Sequence, residues 1–139
     1  MYGEGSVVLG SPIGSLEYVT EEVNKKIDKI RNITSLLPTL KDPHYEFVLL
    51  RSCFSLPKIM YLMRTIDPMS IQQHLSEFDD VVRICLSDIL GSPLGDKEWH
   101  QATLPVSAGG AGLRNAQKHA PAAYVSSVIS STDLLSSIC

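Results

Sequence analysis

Residues 71–91, IQQHLSEFDDVVRICLSDILG, decide how the rest of the chain is read. Ile71, Leu75, Phe78, Val82, Cys85 and Ile89 recur at alternating steps of four and three. That spacing lays one apolar stripe along a helix, an a/d seam of less than three heptads. It suits a bundle helix and is too short for a sustained coiled coil. Gly91 supplies the expected stop, with Pro93 just beyond it.

The same period recurs upstream. Leu16, Val19, Val23, Ile27, Ile30, Ile33 and Leu37 are three or four apart, with Ser15 as the N-cap and Pro38 as the terminator. Glu21 precedes Lys25 and Glu22 precedes Lys26 at i,i+4, the favourable order. A second helix starts at Asp42-Pro43, a cap followed by proline at the first helical position. From Phe47 to Met63, 12 of 17 residues are apolar, so this element belongs in the middle of a bundle. Pro57 kinks or splits it, Ser55 caps the second piece, and Asp67-Pro68 closes it after Thr65.

Downstream, Asp96 caps a short helix around Trp99. Gly109, Gly110 and Gly112 make a turn-rich connector. A further helix runs from Asn115 to about Ser130, with Ala120, Ala122 and Ala123 suited to close helix contact, and a last helical turn begins at Ser131 or Thr132. At the other end, Val7, Val8 and Leu9 read as a strand, and Gly10, Ser11, Pro12 and Gly14 as a turn. The expected fold is all-α: an irregular helical bundle of about five helices over residues 16–139, with a short N-terminal β-strand or hairpin over residues 1–15. A lone hairpin is marginal in water, so the strand is expected to lack a partner within this chain.

The chain has 139 residues, 12 Lys+Arg against 15 Asp+Glu, and a net charge of −3. This balance disfavours a free-standing nucleic-acid binder, whose affinity comes from Lys and Arg neutralising phosphates. No run of 18 apolar residues is present, so no membrane partner is expected. With Glu4, the small residues Gly3, Gly5 and Ser6, and no basic flank at the N-terminus, a secretory signal is not expected. Cys53, Cys85 and Cys139 are odd in number and far apart, which reads as reduced thiols in an intracellular protein, two of them in the core.

Candidate chemistry is sparse. Glu77, Asp79 and Asp80 form the densest carboxylate cluster, but they sit mid-helix rather than at a hairpin tip and read as a solvated face. The glycine-rich connector precedes a helix whose N-terminus suits a phosphate, yet it lacks the P-loop lysine and a preceding strand. His44, His74, His100 and His119 lack metal-site spacing, and no catalytic or metal site is assigned. Arg51, Lys58 and Arg64 interrupt an apolar helix. They are either snorkelling side chains or a phosphate-contacting stripe, with Arg51 and Lys58 on one face if the helix is continuous.

Taken in order, four segments resemble the region downstream of the palm in reverse-transcriptase-like proteins of eukaryotic retroelements. They are Val8-Leu9-Gly10-Ser11-Pro12-Ile13-Gly14; Leu49-Leu50-Arg51-Ser52-Cys53 with Tyr61-Leu62-Met63-Arg64-Thr65; Leu104-Pro105 followed by Gly109-Gly110-Ala111-Gly112-Leu113-Arg114; and Ala120-Pro121-Ala122-Ala123-Tyr124. The resemblance spans about residues 7–138. It implies a palm-closing, primer-gripping hairpin followed by thumb and connecting helices that hold a primer–template duplex by its backbone. Gly10, Ser11 and Gly14 would be the remnant of the primer grip, and Arg51, Lys58 and Arg64 the phosphate contacts. Paired catalytic aspartates are absent, so the expectation is a truncated, catalytically inert fragment, not an enzyme on its own. The Mg²⁺ cofactor would belong to the missing palm, and RNA or DNA duplex binding would be weak. The alternative is an intracellular helical protein–protein interaction module. Its partner would dock on the unpaired strand or on an exposed helix seam, either the 71–89 stripe or that of the first helix.

Overall fold

The structure, a computed structural model, describes residues 5–139. Gly3, Glu4 and the first part of the expected 1–15 segment lie outside the described residues. The chain runs β1 (Gly5–Val8), β2 (Ser11–Gly14), α1 (Leu16–Thr34), α2 (Pro43–Leu49), α3 (Leu56–Thr65), α4 (Gln72–Leu90), α5 (Asp96–Thr103) and α6 (Ala116–Ile138). Short 3-10 turns add Leu37–Leu40 and Val106–Ala108, and a π-helical turn, Leu50–Phe54, joins α2 to α3. An all-α helical bundle with an N-terminal hairpin is what the periodicities require.

The strand does have its partner. β1 and β2 pair antiparallel in the register Val8↔Ser11 and Val7↔Pro12, so residues 11–14, expected as the turn, are themselves a strand. The turn is Leu9-Gly10, at φ 52 and φ 86. Positive φ at both central residues gives the twist that a two-residue hairpin needs, and leucine is poorly suited to its half of it.

Ser15 caps α1 by accepting the Tyr18 N–H, and Asp42 caps α2 by accepting those of His44 and Tyr45. Lys25 pairs with both Glu21 and Glu22, taking the acid expected to pair with Lys26. The 43–65 element is split by a π turn closed by the Ser55 N–H on the Leu50 carbonyl at 2.8 Å. Ser55 does not cap α3. Its hydroxyl donates back to the Arg51 carbonyl at 2.9 Å, because the wide turn leaves that oxygen free. Nor is the whole element central, since Val48 and Tyr61 are exposed.

The helix over residues 71–91 is buried more widely than an a/d seam. Ile71, Leu75, Phe78, Val82 and Cys85 are joined inside by Asp79, Val81 and Leu86, because α1, α2 and α6 all pack on α4. In α1, Val23, Ile27 and Ile30 are equally buried, whereas Leu16 at the start of the same stripe is exposed. Of the cysteines only Cys85 is in the core, while Cys53 and Cys139 are exposed.

Two further corrections concern the C-terminal half. Gly95, not Asp96, stands at the N-cap of α5, and the Asp96 carboxylate instead accepts from Arg83 at 2.9 Å. α6 is one continuous helix without a break near Ser131, where the serine and threonine hydroxyls bond back to carbonyls four residues earlier instead of capping a new turn. The accessible surface is 8791 Å², about a quarter above the roughly 7,100 Å² of a compact monomer of this mass. The hairpin tip and the second half of α6 add open apolar surface, with Leu9 90% and Ile138 72% exposed.

Candidate nucleic-acid interface

The hairpin is latched to the end of α3. Ser11 Oγ donates to Thr65 Oγ1 at 2.9 Å, and Thr65 in turn donates to the Tyr61 carbonyl. A Cβ on Gly10 would lie 3.8 Å from the Tyr61 ring, so the turn rests against α3 where no bulky side chain intervenes. Gly14 is exposed and lines a cleft with Pro12, Ile13, Thr65 and Ile66. Arg64 is exposed on the same helical turn as Tyr61 and Thr65. Ser11 itself is buried and engaged in the latch, so it positions the turn rather than meeting a ligand directly.

Arg51 stands elsewhere. The break at Ser55 removes the continuous helix on which Arg51 and Lys58 would share a face. Arg51, exposed in the π turn, lies over the glycine-rich connector: a Cβ on Gly112 would sit 3.1 Å from Nε and 3.3 Å from Cζ. Lys58 is half-buried in the first turn of α3. The six expected residues therefore fall into a hairpin–Arg64 group, an Arg51 group and a separate Lys58.

The connector has a structural task. Gly110 N–H donates to the Pro105 carbonyl, Gly112 N–H to Leu104 and Leu113 N–H to Ala102. The chain thus folds back on the end of α5 and drives Leu113 fully into the core. α6 starts from there, and its N-terminus is already occupied. Asp79 accepts the Ala116 N–H at 2.7 Å and the Gln117 N–H at 3.2 Å, and Asn115 accepts that of Lys118 at 2.9 Å.

Asp79 is therefore no part of a solvated face. It is 5% exposed, and burial pushes its carboxyl up to about 6 against the opposing pull of the two N–H donors. With its oxygens committed to α6, Asp79 does not fit the paired Mg²⁺ carboxylates of a polymerase. Among the described residues, no three His, Cys, Asp or Glu side chains cluster as metal ligands. No helix among them is long and apolar enough to cross a membrane.

Two side chains to which the sequence assigns no role meet here. Arg114 and His119 line one cleft with Arg51, Thr103, Pro105, Val106 and Gly112. Burial, then the nearby Arg114 charge, holds the His119 ring below the usual histidine range. Arg114 ends the Gly-Gly-Ala-Gly-Leu-Arg segment, but its convergence with Arg51 depends on the fold-back and carries no local signal. No family model matches the chain, and no curated protein or solved structure matches it.

Proposed function

We propose that the chain is a non-catalytic, intracellular nucleic-acid-contacting module, similar to the thumb and connecting region of a reverse-transcriptase-like retroelement protein. It holds a primer–template duplex weakly, by the backbone. The observation that carries this reading is the Ser11–Thr65 hydrogen bond across 54 residues. It joins the LGSPIG segment to the YLMRT segment, two separated parts of the resemblance, at the residue that follows Arg64 in α3. The three free thiols suit a reducing compartment. A net charge of −3 keeps the affinity in the non-specific range, with Kd on the order of 10⁻⁴–10⁻⁶ M. Fluorescence anisotropy with a labelled primer–template duplex tests it. Saturable, salt-sensitive binding is expected, and a duplex that never binds defeats the reading.

A second reading, a protein-interaction module, is favoured by α6. Only Ala116 and Ala120 of this helix are buried, while Val125, Val128, Ile129, Leu134, Leu135 and Ile138 are exposed. Residues 121–139 carry a single charge, Asp133, so two copies can pack there with little repulsion. Sedimentation separates the readings: self-association favours this one, a strict monomer the first.

A further inference from the structure

We propose that the cleft bounded by Arg51, Arg114 and His119 is a binding site for a phosphate group. The cleft encloses about 470 Å³, within the range of roughly 300–1,000 Å³ typical of small-ligand sites. Its wall carries two permanent positive charges and no carboxylate, in a chain whose acids outnumber its bases. Among the described residues neither arginine is in an ion pair. Both guanidiniums are therefore open to an anion.

The arginines reach the cleft from different elements, Arg51 from the π turn and Arg114 from the connector before α6. Gly112 lies between them at φ +74, a conformation that disfavours a side chain. Its missing Cβ lets the Arg51 guanidinium lie flat against the turn, 3.1–3.3 Å from where that atom would be. A planar guanidinium in this position matches two phosphate oxygens at once. His119 adds a ring held below its ordinary range by burial and by Arg114, so at neutral pH it offers hydrogen bonding without a third charge. The helix dipole of α6 takes no part, because Asp79 and Asn115 already fill that end. Pro105 and Val106 supply an apolar wall.

This inference does not depend on the duplex reading, since the phosphate can belong to a free phosphate compound or to a nucleic-acid backbone. The test follows amide and imidazole NMR signals of the full chain in two titrations, one with inorganic pyrophosphate and one with a primer–template duplex. Saturable shifts at Gly112, Arg114 and His119 in either titration support the site. Arg51→Gln and Arg114→Gln should each weaken that binding roughly tenfold while the remaining spectrum stays folded. Pyrophosphate shifting the cleft while the duplex shifts no signal of the chain keeps the site and counts against the duplex reading. A duplex that shifts the Arg64 surface while neither probe shifts the cleft does the reverse. No shift with either probe, or shifts unaffected by both substitutions, overturns the proposal.

Discussion

The Asp79 carboxylate accepts the main-chain N–H of Ala116 at 2.7 Å, from the middle of α4 to the first residue of α6, 37 positions along the chain. This buried cap ties the central helix to the C-terminal one and closes the end of α6 to other anions. Replacing Asp79 by alanine strands the buried Ala116 donor and the partly buried Gln117 donor and should cost about 2–3 kcal/mol in urea denaturation, while Asp79→Asn keeps one acceptor and costs less.

The same residue sets a pH dependence. Its carboxyl is raised from 3.8 to about 6 in the fold, chiefly by burial. Between those values the folded chain retains a proton that the unfolded chain has released. Stability therefore falls as pH rises from about 4 to about 6, by roughly 2–3 kcal/mol from this group, and levels off above. Chemical denaturation across that range should show the slope in the native chain and its loss in Asp79→Asn.

Leu9 occupies a left-handed conformation at φ 52 while 90% exposed, so its side chain repays none of the strain. Leu9→Asn should stabilise the hairpin by about 1 kcal/mol, because asparagine suits the first position of this turn. Hydrogen exchange at Val8 and Ser11 checks it, with slower exchange expected in the variant.

Gly110 packs directly on the Leu104 main chain, where any Cβ would overlap the carbonyl. Backbone cannot move aside as a flexible side chain does. Gly110→Ala should lower stability by more than about 2 kcal/mol and loosen the start of α6, seen as a lower thermal midpoint.

The core helices were legible because each buried stripe repeats at the helical period: Val23, Ile27 and Ile30, then Ile71, Leu75, Phe78 and Val82. Caps at Ser15, Asp42 and Asn115 were legible because their signals are local. Asp79 was not, since its partner is a main-chain N–H far along the chain and its neighbour Asp80 is exposed as expected. The pairing of β1 with β2 was obscured by Leu9 in a position where asparagine or glycine marks a turn. The Arg51–Arg114 convergence follows from the π turn and the fold-back at Gly112, neither of which has a sequence period.

The most direct measurement is the anisotropy of a fluorescein-labelled primer–template duplex as salt is varied, for the native chain and for Arg64→Ala and Arg51→Ala. The expected native Kd is no tighter than about micromolar, and each substitution that removes a phosphate contact should lower the slope of log K against log salt by about 1. An anisotropy that stays flat up to roughly 100 µM chain at about 50 mM salt, or a salt slope unchanged in both variants, would contradict the nucleic-acid-contacting role.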